Sequence, residues 1–423
     1  MKSKKVVKSS VLMVIILIVG TSYTTIGIGN NNFNTFEKSE THIIEDPRVP
    51  YVGQETDFFC GFASFTMLIK YFDVSATLNE VLHHSGVGHT SAHFRPRKLG
   101  IAIGTGLCIG KGHYKTGTFL ASLYGLSYGE WNTKITKDNW NEYWSNLKDK
   151  IKQDIPMVTC INPIIMNPEF YRDALNISDD ETPTAGHAIV IVGFNESAGL
   201  VYYNEPGPDA FGANEENWTY ANVSIEIFKK SFQKAGPNYN IWYFESSPDP
   251  PLSKKEAFNK SYERNIKRLK GEYYENIWGN IPYTSYGVEA VKALKNDLKI
   301  GLRNRFVSIL SMKIYKIINF TFEGDLINSF QMKRIATEKQ YVSQYLLENK
   351  YLSSICTRDG KLFAQESKHW YNLSLLLNEF FIAANNGPIK ARILLGPIIE
   401  KMKKELEEII FIEKEIIELK ERS

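Results

Sequence analysis

Cysteine is scarce in this sequence: four residues, Cys60, Cys108, Cys160 and Cys356, are spread over 423. So few cannot staple a chain of this size, which must therefore be held by a buried core and not by a disulfide framework. Cys108 and Cys160 could pair with each other, and the sequence leaves that open. An excess of charge is missing too, because 50 Lys and Arg stand against 47 Asp and Glu. That balance gives no electrostatic reason for a nucleic-acid partner, and none is expected. No internal repeat is visible. Long apolar runs are absent except near the N-terminus, from Val11 to Val19.

Lys2, Lys4, Lys5 and Lys8 precede that run and Gly20-Thr21-Ser22 follow it, the layout of a secretory signal. The run is shorter than the ~20 apolar residues of a spanning helix. Continued through Ile26 and Ile28, it could instead be kept as an anchor. Residues 1–28 are therefore read as a signal peptide or N-terminal membrane anchor, and 29–46 as a polar, Asn-rich linker. The bulk of the chain is expected to be extracellular, or tethered with its domains outside the cytoplasm. Asn-x-Ser/Thr triplets such as those at Asn176, Asn195 and Asn217 suit a glycosylated exterior.

With 43% hydrophobic and 23% charged residues the chain is globular, and its length implies two domains. The first is read over 47–245. Pro248, Pro250 and Pro251 then exclude both helix and central strand. The second, 252–423, is rich in Lys, Glu, Leu and Ile at helical spacing, with helices expected at 254–270, 287–298, 338–349, 368–381 and from Pro397. It reads as a packed bundle with a solvated charged face, a partner helix or membrane surface being the alternative. It offers no convincing catalytic set. In the first domain Cys60 to Phe72 is apolar almost all round and predicts a buried helix, while Asn139 to Gln153 predicts an amphipathic one. Strands are expected at 156–161, 187–194, 200–204 and 240–244, with a hairpin turn at 195–199. A helix ahead of a mainly antiparallel sheet is an α+β layout.

Cys60 opens its helix, with Gln54 six residues upstream. A thiol attacks only as thiolate, and a helix N-terminus favours that form through its free N–H groups and macrodipole. Gly61 and Ala63 keep the first turn uncrowded for an approaching acyl carbon. The oxyanion then formed needs donors, which the Cys60 backbone N–H and the Gln54 side-chain amide can supply. His187 stands at the mouth of a very apolar strand, where it can serve as base and then as acid for the leaving group. The end of the next strand supplies Asn204 and Glu205 to orient the imidazole. They point to opposite faces, so only one can do it.

Val49-Pro50-Tyr51-Val52, Gln54, Cys60-Gly61, Ala63-Ser64, Gly186-His187 and Asn204-Glu205-Pro206 together resemble the peptidase C39-like family of the papain-like superfamily. Lys148 to Val158 is similar to that family's amphipathic helix, proline and apolar strand. The resemblance covers about 47 to 245. It implies a papain-like domain followed by the helical one, and a cysteine peptidase or amidase working through an acyl-enzyme on a peptide or isopeptide bond. The family usually carries Asn-Asp-Pro with the aspartate as third catalytic residue. Glu205 stands in that place here, so the resemblance favours Glu205, with Asn204 as the alternative. More weakly, Tyr286 to Ala290 and Lys368-His369-Trp370 resemble papain-like acyltransferases of the butirosin type. Acyl transfer to an amine and a catalytically inactive binding module of the same fold are the alternative functions.

His83, His84, His89, His93 and His113 form a second cluster. His89 and His93 have metal-ligand spacing if helical, but the nearby Gly86, Gly88, Pro96 and Gly100 favour a loop. No metal and no cofactor are expected. The stretch, with Gly104 to Gly117, is read instead as lining the substrate cleft.

Overall fold

A computed structural model of the chain describes residues 40–45, 48–56, 59–89, 91–94, 102–105, 113–131, 139–178, 186–213, 217–235, 241–272, 284–303, 327–385 and 388–422. The expected signal or anchor and most of the linker lie outside them, as does Cys108. Among the described residues no helix is long and apolar enough to cross a membrane. The fold is α+β, with twelve helices among the described residues, and it divides into two compact units.

The first unit holds the described residues up to Ser75 and from Tyr128 to Ser246. Its elements are β1 (Thr41–Ile43) and α1 (Cys60–Tyr71), and later β4 (Leu126–Trp131), α4 (Trp140–Ile151), β5 (Met157–Ile161), α5 (Pro163–Met166), α6 (Pro168–Leu175), β6 (His187–Asn195), β7 (Leu200–Asn204), β8 (Ala221–Ser224), α7 (Ile225–Gln233) and β9 (Ile241–Ser246). The strands form one seven-stranded sheet in the order β4-β9-β5-β6-β7-β8, with β1 added to β6. The pairs of β6 with β5, β7 and β1 are all antiparallel. Every residue of β6 from His187 to Phe194 is buried, which is why the strand reads as one apolar run and does not alternate.

Helix α1 supplies much of that cover. All its residues but Lys70 are buried, and Phe65 lies against Trp242 and Phe244 of β9. Each buried Phe, Leu or Ile contributes ~1.5–3 kcal/mol. Helix α4 turns Trp140, Tyr143, Trp144, Leu147 and Ile151 inward, and Tyr143 and Trp140 meet Phe228 and Phe232 of α7. Strand β1 corrects the linker reading, since Thr41 to Ile43 pair with Gly193 to Asn195. The cause lies in β6: a Cβ at Gly193 would come 2.9 Å from the Ile43 Cα, so only glycine admits this neighbour.

The second unit holds the described residues of 76–127 and 247–423, so the described stretch from Ala76 folds with the helical tail although it lies inside the 47–245 span. It contains α2 (Leu78–Ser85), β2 (Ser91–Phe94), β3 (Ala102–Thr105), α3 (His113–Leu123), α8 (Lys254–Lys270), β10 (Thr284–Tyr286), α9 (Val288–Arg303), α10 (Ile327–Glu348), α11 (Cys356–Asn385) and α12 (Pro388–Arg422). A small sheet runs β10-β2-β3. Ser253 and Glu256 close a capping box on α8, which fixes that helix start. Helix α12 begins at Pro388 and carries Pro397 inside it, so the expected start at Pro397 is corrected. A proline there forfeits one backbone hydrogen bond but keeps a helical φ. Buried Val291, Leu294, Met332, Ile335, Trp370, Leu373, Met402 and Leu406 bring α9 to α12 together in one apolar cluster.

Candidate active site

Cys60 is the first residue of α1 and is fully buried. Among the described residues no side chain caps the helix, so its first N–H groups keep their donor capacity at the thiol. One turn on, the Ser64 hydroxyl donates to the Ala188 carbonyl at 3.3 Å. That bond ties the start of α1 to the residue after His187. His187, at the head of β6, is 2% exposed and sits opposite Ile161 of β5.

The imidazole is held on both sides. Nε2 donates to Glu205 Oε1, and the ring is also hydrogen-bonded to Cys60. Burial alone lowers the affinity of His187 for a proton, but the Glu205 carboxylate and the Cys60 sulfur more than offset it, and its pKa is raised to about 10. The ring is an imidazolium at neutral pH.

Glu205 lies just past β7 and is itself pinned. Its Oε1 also accepts from the Gly207 N–H at 2.9 Å. Its backbone carbonyl accepts from the Tyr51 hydroxyl at 3.2 Å, and its N–H donates to the Trp218 carbonyl at 2.9 Å. Asn204, its neighbour, is turned elsewhere. Asn204 Nδ2 donates to the Val49 carbonyl at 3.1 Å, and Oδ1 accepts from the Tyr220 N–H at 2.8 Å. Both ends of the asparagine are spent on backbone, and Glu205 faces the histidine.

Gln54 is 3% exposed, and its N–H donates to the Pro206 carbonyl at 3.0 Å. This sets the glutamine against the strand end that carries Glu205. Its side-chain Oε1 is buried and has no hydrogen-bond partner among the described residues. The next residue, Glu55, has φ +31°, a strained value for a side chain with a Cβ. Thus Cys60, His187, Glu205 and Gln54 converge in one unit, and Asn204 latches the strand end to the segment leading into Gln54.

Two further residues belong to this corner. Cys160 is a free thiol on β5, pushed up by burial first and by nearby Cys60 second, so it stays protonated. Tyr171 of α6 places its ring centroid 6.0 Å from that of His187. Nothing in the sequence singles out Tyr171, because a tyrosine in the first turn of a helix after Asn167-Pro168 looks like ordinary packing.

The histidine cluster is mostly in regular structure, and only His89 of the described members lies in a turn. His83 and His84 lie in α2, which Thr77 caps by accepting from the Glu80 N–H and which Gly86 ends in a left-handed conformation. His93 lies on β2, and residues 106–112 are outside the described ones. His83 stacks on Tyr345 at 4.4 Å and meets Phe258, Tyr262 and His89. Among the described residues no group of three or more His, Cys, Asp or Glu is arranged to hold a metal ion. In the tail, His369 pairs with Glu405 and the Trp370 indole donates to Glu366.

A cysteine at the head of a buried helix, paired with a histidine at the head of an antiparallel strand and a carboxylate past the next, defines a papain-like cysteine peptidase fold. Residues 47–240 match the model of the peptidase C39-like family, so the chain carries a C39-like region. No curated protein matches the chain.

Proposed function

We propose that the chain is a thiol peptidase or amidase in which Cys60 attacks a peptide or isopeptide carbonyl and forms an acyl-enzyme. The observation that carries this reading is the His187 ring, bonded to Cys60 on one side and to Glu205 on the other. Such a ring takes the thiol proton into a stable imidazolium and then returns it to the leaving amine. Glu205 orients the ring and balances its charge. The Cys60 N–H and the Gln54 amide are the donors for the oxyanion, and the Gln54 backbone bond to Pro206 supports that placement. Water completes the cycle by attacking the acyl carbon, releasing the acid and restoring the thiol.

The same reading puts the protein outside the cytoplasm, secreted or tethered through the N-terminal segment, on the strength of the Lys2–Lys8 basic cluster and the Val11–Val19 apolar run. The test is to quench the full chain during incubation with a peptide mixture and measure intact mass. A covalent adduct on Cys60, absent from Cys60→Ala, with hydrolysed peptides in solution, is the expected result. Amine-coupled products dominating after addition of an amine would assign acyl transfer instead, and no adduct would remove the enzyme reading.

A further inference from the structure

Two buried oxygens in this corner, Tyr171 Oη and Glu205 Oε2, close no well-formed hydrogen bond among the described residues, yet the two side chains lie near enough to interact as donor and acceptor. Buried polar groups in folded proteins almost always have partners, and each of these two is the natural partner of the other. The geometry around Gly207 shows how close they are. A Cβ at Gly207 would stand 2.1 Å from the Tyr171 hydroxyl oxygen, 3.0 Å from His187 Cε1 and 3.1 Å from Glu205 Oε1. Three groups therefore converge on a point that only glycine leaves free. Burial first, and the Glu205 carboxylate second, keep the Tyr171 hydroxyl protonated, as a donor must be.

The fold holds the tyrosine there. Pro168 starts α6 and its first turn presents Tyr171, which is 3% exposed. Phe170 lies on Trp218 at 4.9 Å and on Phe211 at 6.0 Å, and both partners come from the segment that follows Glu205. Tyr171 meets Phe211 edge-on as well. Helix α6 is thus clamped to the loop that carries the carboxylate.

We propose that Tyr171 is a positioning residue: its hydroxyl donates to Glu205 Oε2, which leaves Oε1 aimed at His187. This rests on the thiol-enzyme reading above. Oε1 already serves His187 and the Gly207 N–H, so the second oxygen is free to be held from behind. A carboxylate fixed at both oxygens cannot rotate away from the ring it orients. Loss of the hydroxyl should loosen Glu205 and weaken its support of the imidazolium, with no group that touches substrate removed.

The test uses iodoacetate, whose anion reacts fastest with a thiolate beside an imidazolium, on the full chain across a pH series. In wild type Cys60 labels rapidly until His187 loses its proton. In Tyr171→Phe that alkaline limb falls by about one pH unit, a tenfold shift in the equilibrium. In a Glu205→Gln background the same substitution moves the limb no further, whereas a merely structural lesion adds its own loss. Superimposable profiles with rapid wild-type labelling overturn the Tyr171 assignment alone. Slow wild-type labelling, equal to that of Cys160 and Cys356, overturns the thiol-enzyme reading and this role with it. If Tyr171→Phe does not fold, a fluorinated tyrosine at 171 keeps the shape: its fluorine resonance shifts on Glu205→Gln if the pair is bonded, and an unmoved resonance refutes the bond.

Discussion

Asn204 and Glu205 are adjacent in sequence and opposed in role: the glutamate carboxylate receives His187 Nε2, while the asparagine side chain bridges the backbones of Val49 and Tyr220. The alternation of a strand end separates them, and their partners decide which one meets the imidazole. The Gly207 N–H holds the Glu205 carboxylate and the Tyr51 hydroxyl holds its backbone carbonyl, which together fix where Glu205 sits.

That division makes the two substitutions differ in kind. Glu205→Gln should slow Cys60 labelling by on the order of tenfold to a hundredfold, the worth of a charge-assisted bond, and should also lower the urea midpoint, because the buried imidazolium loses its counter-charge. Asn204→Ala should lower stability alone, costing ~1–3 kcal/mol by leaving buried backbone groups unpaired while the folded protein labels nearly as wild type. Denaturation and labelling on the same samples check both. Equal labelling losses from the two would contradict the division.

His187 also makes stability depend on pH. Its folded pKa of about 10 lies above the ordinary 6.5. The contribution is therefore fully present below pH 6.5 and is lost as pH rises through 10. Urea midpoints should fall between those values in wild type, and fall less in His187→Gln.

Glu413 in the helical unit has the same sign although it is an acid. Burial first, against the pull of Lys339, raises it from 4.5 to about 8 beside Glu366. Its contribution is complete below pH 4.5 and is lost as pH rises through 8. Glu413→Gln, which cannot ionise, should flatten the fall in stability between about pH 5 and pH 8. A fall as steep as wild type would show that another group titrates there.

Much of this site is legible in local sequence pattern. Cys60-Gly61 opening an apolar helix, and Gly186-His187 opening an apolar strand, carry their roles in the residues beside them, and α1, α4 and β5 to β7 fall within a residue or two of expectation. The choice between Asn204 and Glu205 is not local, because the asparagine's partners lie 155 and 16 residues away. Tyr171 is invisible for the same reason: only the folded strand end gives its hydroxyl a destination. Helix α2 has a readable start, since Thr77 and Glu80 have capping spacing, but the glycines after it give the stretch the composition of a loop. Strand β1 hides in a polar segment because its partner, β6, supplies the burial.

Everything at this site turns on whether His187 and Glu205 make Cys60 a thiolate nucleophile. The most direct measurement is the rate at which iodoacetate labels each cysteine at neutral pH, read by peptide mass. Cys60 is predicted to label far faster than Cys108, Cys160 or Cys356 and to lose that advantage in His187→Ala. Four equal, slow rates, or a Cys60 rate indifferent to His187, would contradict it.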